Sequence, residues 1–531
     1  MMDYSKDSTQ LVVNDTTQFF VDNLLIEQHQ DVTRRWYQPE RSGEPVIRKD
    51  RPWEHLTYFT YSNYAVVRDP ADGLFKCWYE DGDMIPGIYP AAGSYRARQL
   101  YAYSEDGVHF VKPELDLHEM DGRRTNVVLG DPAYGWVHSA TMILDPHASA
   151  PEYRFRALYS HEWQEQGRWR NRIECAHSPD GIHWTVYGEY PCFGMSGPNL
   201  NDVSVLYYDP DAREFVQNTR HYLQWAGAFN MRHPYTQSFN GTHAPDNWAL
   251  GNKRRVWQTR SHDFIHWSEL LLVAATDDDE DNLDESFYGM SQTRIGNTYF
   301  AFPGVLHYVD NTRDVQLLIS HDGVRWQRAN KRQPFVTVRG EGHWDAYMQS
   351  VASPPIEVGD ELWFYLGGAA CTHDLWMCRT EGFVHPEHNH PELVHHSLGL
   401  AKLRRDGFAS LDTNRYREGT VVTRALISLG TQLVINARCR PGGSVRVEVA
   451  DRYDDVIAPC TKANCDPFAG DSVAHTVTWQ GSPLIPAANE ERRVWRKLRF
   501  FLRDAEIFSF HFADSAGRPL GEQEKQGTGV V

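Results

Sequence analysis

Tyr103-Ser104-Glu105-Asp106-Gly107-Val108-His109-Phe110 spells a tight turn: a serine, an Asp-Gly pair, then an aromatic. The spelling returns as His177-Ser178-Pro179-Asp180-Gly181-Ile182-His183-Trp184 and as Arg260-Ser261-His262-Asp263-Phe264-Ile265-His266-Trp267. It returns again as Ile319-Ser320-His321-Asp322-Gly323-Val324-Arg325-Trp326, and in degenerate form as Leu403-Arg404-Arg405-Asp406-Gly407-Phe408. Asp-Gly supplies the positive φ of a hairpin, and the aromatic then packs between sheets.

A second hairpin precedes each copy. Thr141-Met142-Ile143-Leu144-Asp145-Pro146, for example, turns into Tyr153-Arg154-Phe155-Arg156-Ala157. Each repeat therefore holds four strands, A to D, and five such repeats predict an all-β chain with a five-bladed β-propeller over 51–412. Two sandwiches with chance Asp-Gly turns are the alternative. Four good copies, each behind its own hairpin, argue against it. Residues 1–50 form an arm, and its strand from Gln18 to Ile26 is a candidate to close the ring on the last blade. After Leu411-Asp412 the repeat stops. Alternating runs such as Ser444-Val445-Arg446-Val447-Glu448-Val449 predict a β-sandwich over 413–515, and 516–531 is expected to be a disordered tail.

A length of 531 residues makes two domains the prior. The net charge of −18 excludes a nucleic-acid backbone as the expected partner and disfavours anionic membranes. No run spans a membrane and no signal h-region opens the chain, so the expected location is cytoplasmic. The eight cysteines include no CxxC pair and are expected to be reduced thiols. Aromatics at 13% suit packed sheets and sugar-stacking surfaces alike.

Strand direction separates the two faces. The Asp-Pro turns (A to B) and the Asp-Gly turns (C to D) share one face and are short. The B-to-C loops and D-to-A links share the other, at 80–98, 112–138, 221–253, 269–286 and 368–396. Long varied loops on a rigid scaffold usually build the site. At the starts of the innermost strands the chain reads Glu54, His138, Asp202, Asp284-Glu285 and Glu341 with Asp345. A ring of carboxylates around one channel raises its members' pKa values, and paired carboxylates suit glycoside hydrolysis. The bland alternative is a set of solvated link residues.

Five blades, an axial ring of acids and a C-terminal sandwich resemble the glycosidases of glycoside hydrolase families 32, 43 and 68. Phe20-Val21-Asp22-Asn23-Leu24-Leu25-Ile26-Glu27, Gly399-Leu400-Ala401-Lys402-Leu403-Arg404-Arg405-Asp406-Gly407-Phe408, Cys465-Asp466-Pro467-Phe468-Ala469-Gly470-Asp471-Ser472 and Leu498-Arg499-Phe500-Phe501-Leu502-Arg503-Asp504-Ala505 look more specifically like bacterial proteins described as glycosyl hydrolase family 32-like. The family 32 signature Trp-Met-Asn-Asp-Pro-Asn-Gly is absent. Arg68-Asp69-Pro70 and Glu174-Cys175 match the spelling of two of its motifs. Asp69 falls on the turn face and Glu174 in an outer strand, so both are read as decoys.

The resemblance implies a glycoside hydrolase with three carboxylates, exo-acting on a fructo- or arabinofuranoside. On that logic Asp202 is base, nucleophile or stabiliser, and Glu285 is the general acid with Asp284 as its alternative. Asp345 supplies the third carboxylate, with Glu341 in reserve. Trp136, Tyr288 and Trp344 are candidates to stack on a sugar, or else ordinary blade packing. Glu54, His138, Arg220, His221 and His307 complete the expected substrate-binding set. No metal or cofactor is called, although an axial or structural cation near His138 fits, and the His-rich stretch 373–396 reads as an exposed cluster before it reads as a metal site. Transglycosylation or phosphorolysis is the rival enzyme reading, with Arg96 and Arg98 or Arg254 and Arg255 as phosphate candidates. A non-catalytic carbohydrate-binding propeller is the rival from another class.

Overall fold

The computed structural model describes residues 11–13, 16–84, 95–189, 191–193, 203–222, 254–277, 279–282, 284–373, 396–428, 430–486 and 495–515. Among them the chain is all-β. Its only helical pieces are two 3₁₀ turns, Pro151–Tyr153 and Asn330–Arg332, and no helix is long and apolar enough to cross a membrane. Cys77, Cys175, Cys371, Cys439, Cys460 and Cys465 are free thiols.

Five antiparallel sheet units follow in order. Unit one runs from Leu56–Tyr58 and Tyr64–Arg68 through Phe75–Met84 and Tyr95–Ser104 to Val127–Leu129. Unit two is Trp136–Leu144, Phe155–Glu165, Arg168–Ser178 and Thr185–Val186. Unit three is Ser204–Asp209, Glu214–Tyr222, Arg254–Ser261 and Leu271–Ala274. Unit four is Glu285–Ile295, Thr298–His307, Leu318–Ser320 and Gln327–Arg328. Unit five is Met348–Ser350 with Ile356–Val358, Glu361–Ala369 and His396–Arg404.

The repeated turns close as their spelling requires. Ser104 Oγ bonds Asp106 Oδ1 at 2.9 Å and accepts the Gly107 N–H, while Asp106 Oδ1 accepts the Val108 and His109 N–H groups at 2.8 Å. Ser178, Ser261 and Ser320 repeat the pattern. Gly107, Gly181 and Gly323 have φ of 75°, 82° and 70°, and Phe264 holds the same place at 73°. A side chain there is strained by about 1–2 kcal/mol, and the fully buried Phe264 ring offsets it by filling the seam between units two and three. In the fifth copy Asp406 accepts instead from Ser509 Oγ at 2.8 Å, so this turn docks on the C-terminal sheet.

These turns also join neighbours. Trp78 Nε1 of unit one donates to Gly181 O of unit two at 2.6 Å. The Tyr365 hydroxyl of unit five donates to Gly107 O of unit one at 2.8 Å. Phe75 and Tyr64 of unit one share one core with Trp363 and Tyr365 of unit five. Unit five therefore meets unit one through the same kind of turn-carbonyl bond by which unit one meets unit two.

The inner strand of unit one is broken between Tyr58 and Tyr64, with Ser62 at φ 65°, and the break sends Tyr61 inward. Tyr61 is fully buried among Val203, Val205, Tyr288 and Leu306, and its hydroxyl donates to Phe302 O at 2.7 Å. Gly289 and Gly304 make room: a Cβ on either would fall within 2.7 Å of the Tyr61 side chain.

The arm pairs elsewhere than expected. Gln18–Phe19 lies against Ser509 and Phe510, and Ile26–Gln30 against residues 420–423, so this strand belongs to the C-terminal sheet rather than to the last unit. The reason is burial: Phe20, Leu25 and Ile26 pack with Leu433, Phe500 and Phe510 in that sheet's core, while Phe19 and Val21 face units four and five. The free edge of unit five is covered by Glu40–Arg41 instead. Beyond 412 the sheet rests on two long strands, Gln432–Ala450 and Trp495–Ala513, the first of which contains the alternating run 444–449. Residues 516–531 lie outside the described set.

The turn carboxylates make stability sensitive to acid. At Asp106 the His109 N–H leads in holding the carboxyl down. At Asp180 burial opposes ionisation, but the N–H groups of His183 and Ile182 and the His183 ring outweigh it and hold the pKa at about 2 against an ordinary 3.8. A carboxyl lowered in the fold stabilises it above the unfolded value and ceases to do so as pH falls through the folded one. Urea melts should show a loss of stability from about pH 4 down to pH 2, and Asp180→Asn should flatten that slope. An unchanged slope would contradict this.

Candidate active site

Strand direction places the starts of Trp136–Leu144, Arg254–Ser261 and Glu285–Ile295 at the same end as the finishes of Glu214–Tyr222 and Thr298–His307. Three side-chain groups gather there.

The first surrounds Tyr288. The guanidinium carbons of Arg313, Arg220 and Arg254 stand 4.5, 4.6 and 5.4 Å from its ring centre. The His373 ring lies 5.1 Å away. Arg313 is fully buried; its Nε donates to Gln349 O at 2.9 Å, and its two terminal nitrogens have no acceptor among the described residues. The Tyr58 hydroxyl meets Tyr288, and burial first, then that neighbour, pushes its pKa well up. Tyr58 also packs on His396, with ring centres 4.5 Å apart.

The second group is Glu80 with His138. Glu80 is fully buried and accepts from His138 Nδ1 at 2.8 Å, from Ser139 N–H at 2.7 Å and from Asn63 Nδ2 at 2.8 Å. Ser139 reaches it from φ 54°, at the bulge that breaks the register between His138 and Thr141.

The third lies at the end of unit four, where Glu285 pairs with His307 across the strands. His307 Nδ1 is 3.5 Å from Glu285 Oε1, and Nε2 is 3.2 Å from Asp314 Oδ2. Burial alone would lower the His307 pKa. The Asp314 hydrogen bond and charge, with Glu285 and Asp284 behind them, overcome it and raise the pKa. Side-chain exposures of 10, 21 and 13% for Glu285, His307 and Asp314 leave this group within reach of solvent. Arg254 joins the first and third groups, since it also lies 5.4 Å from the ring of Tyr308, next to His307.

The remaining expected residues are placed otherwise. Glu54 is fully buried, bonded to Lys112 Nζ, the Tyr79 hydroxyl and the N–H groups of Asp50 and Arg51, so it caps its own turn rather than facing the channel. Asp345 has 0% side-chain exposure and is clamped by Arg41 and Arg339, with Gln349 Nε2 at 2.7 Å. That clamp ties the arm to the seam of units four and five and leaves no face for a sugar. Trp344 packs on Gly368 and Gly399 and donates to Gly43 O, which is blade packing. Glu341 is exposed beside it. Asp284 Oδ2 accepts the Val309 N–H at 3.2 Å. Trp136 lies under Arg96, 5.8 Å from its guanidinium. Asp202, residues 374–395 and the side chain of His221 lie outside the described set.

Asp69 is bound by Lys76 and Arg154, and Glu174 by His161, Arg172 and Tyr134, each away from these groups. Arg98 is taken up by Asp81 and Asp83. Among the described residues no group of three or more His, Cys, Asp or Glu side chains is disposed to hold a metal ion. Sequence reading missed Glu80, Arg313, Asp314 and Tyr58. The acid-rich run Glu80-Asp81-Gly82-Asp83 was the available signal for the first.

No protein-family model matches the chain, and no curated protein matches it. Among solved structures it is similar to an N-acetylgalactosamine deacetylase from F. plautii in complex with blood group B trisaccharide, at 14% identity and TM-score 0.41 over 71% of this chain and 97% of that one. It is similar to a glycosyl hydrolase from Bacteroides ovatus at 14% identity and TM-score 0.42, over 70% and 94% of the two chains. It is also similar to a GH130 family protein, from work on mannoside phosphorylases and hydrolases of β-1,2 mannosidic linkages in Candida mannan, at 13% identity and TM-score 0.41 over 70% and 94%. Values of this size carry no activity from those proteins to this one.

Proposed function

We propose that the chain is a glycoside hydrolase that removes a terminal sugar at the channel end bearing Tyr288 and His307. The observation that carries this reading is His307 held between Glu285 and Asp314 while still partly open. A histidine whose pKa is raised by two carboxylates keeps its proton near neutral pH, so His307 suits the proton donor to the leaving oxygen. Asp314 orients it. Glu285 is the carboxylate beside it, stabilising positive charge on the sugar or activating water. Asp202 is retained as the partner carboxylate on sequence grounds; its neighbour Val203 packs against Tyr61.

Tyr61 supports exo action, because its fully buried ring packs with Tyr288 and leaves no opening on that side of the site. Furanosides are the class that the family resemblance implies. Phosphorolysis is the second reading, favoured by three guanidinium groups around one tyrosine with the Arg313 terminal nitrogens lacking an acceptor among the described residues. Buried donors of this kind call for an oxyanion.

Nitrophenyl furanosides and pyranosides, each assayed with and without inorganic phosphate, separate the readings. Release without phosphate supports hydrolysis. Release only with phosphate, giving a sugar phosphate, moves the assignment to phosphorolysis. No release from any of them, together with sugar binding that survives Glu285→Gln, would leave a binding protein.

A further inference from the structure

We infer that a cleft between units two and three is a second carbohydrate-binding site, on the face away from the catalytic groups. It goes beyond the proposed activity and stands whether or not His307 drives hydrolysis. The cleft holds about 610 Å³ and is lined by Asp145, Tyr153, Arg156, Tyr187, Tyr208 and Arg213, among others. That volume lies within the range of small-ligand sites. Strand Trp136–Leu144 carries His138 at its start and ends beside the cleft at Asp145. At about 3.3 Å per residue, His138 and Asp145 stand roughly 20 Å apart along that strand.

Arg156 forms a fixed floor. Its Nε and a terminal nitrogen meet Asp145 Oδ2 at 2.8 Å, and its other terminal nitrogen donates to the Tyr187 hydroxyl. The guanidinium stands 5.4 Å from the Tyr153 ring and 5.1 Å from the Phe215 ring. Its charge is neutralised and its geometry set before any ligand arrives. Half-buried Tyr153, Tyr187 and Tyr208 make the walls, with exposed His147 against Tyr208 at 5.6 Å. The Tyr153 and Tyr208 hydroxyls and the Arg213 guanidinium make no hydrogen bond to the described residues.

The neighbouring junction shows why the cleft is open. Arg154 precedes the second strand of unit two as Arg213 precedes that of unit three. Arg154 pairs with Asp69 across the seam and covers Phe155 at 5.2 Å. Arg213 makes no such pair among the described residues, and the cleft stays open beside it, outside the Phe264 core of that seam. Rings with polar tips over a neutral floor match a ligand that offers C–H faces and hydroxyl edges together, which is a sugar.

The test uses the full chain carrying Glu285→Gln, run in native gels that contain galactomannan, levan, linear arabinan or polygalacturonate. At least one polymer should retard it. Tyr153→Ala with Tyr208→Ala should weaken that retardation about tenfold in apparent affinity under conditions where thermal melts show both chains fully folded. His147→Ala with Arg213→Ala, both at exposed positions, should weaken it without any risk to folding, and Arg220→Met in the channel should leave it. Retardation equal to the parent's in both cleft variants, or none in all four polymers, would overturn the assignment.

Discussion

Replacing Glu285 with Gln, or His307 with Asn, should lower kcat by about 10²–10⁴-fold on any glycoside the wild type cleaves. The thermal midpoint should hold, because both side chains sit at the open end of unit four and neither belongs to a hydrophobic core. Loss of kcat with little change in KM is the signature of a group used mainly in the transition state. The pH profile adds a readout that a structural role would not move. His307 acts in its protonated form, so activity is lost as pH rises through its raised pKa. Asp314→Asn removes the strongest cause of that rise. The alkaline limb should therefore move to lower pH, and Asp314→Glu should restore part of it. Wild-type turnover in both Glu285→Gln and His307→Asn would remove the catalytic assignment.

Asp345→Asn should behave in the opposite way and unfold the protein more easily. A buried carboxylate between Arg41 and Arg339 is removed while the two guanidinium groups stay partly buried, at 18 and 19% side-chain exposure. Breaking one partner of a buried pair costs about 3 kcal/mol or more. Urea melts should show that loss, and any fall in activity should track the folded fraction. The effect should reach the arm as well, because Arg41 belongs to the Glu40–Arg41 strand that covers unit five. A variant with wild-type stability and no activity would return Asp345 to the catalytic set.

The two carboxylates look alike in the sequence. Both stand near the start of an inner strand, and both were expected at the channel. What separates them is which cation reaches them first. The Arg339 that clamps Asp345 is near in sequence, but Arg41 comes from the other end of the chain and has no local signature. Glu285 instead meets a histidine on its hairpin partner, and that pairing was readable, since Asp284-Glu285 and His307 flank a short turn at Gly296-Asn297. Arg313 and Asp314 were not readable as a pair of roles. Adjacent strand residues face opposite sides, so one enters the tyrosine group and the other the histidine group, and only the sheet decides which.

The repeated turns were legible because their chemistry is local. Ser104, Asp106 and Gly107 satisfy one another within a few residues, and four copies of that spelling set the number and direction of the strands. Strand direction in turn told apart the two faces and excluded Asp69, while place in an outer strand excluded Glu174. What the tertiary structure alone decided is where long-range partners meet. The arm joins the C-terminal sheet because Phe20 and Ile26 need its core, Tyr61 is buried among Val203, Tyr288 and Leu306, and Asp345 is neutralised from 304 residues away by Arg41. Hydrogen bonds inside a turn are written in consecutive residues, whereas the burial of a charge depends on whatever the rest of the chain brings to it.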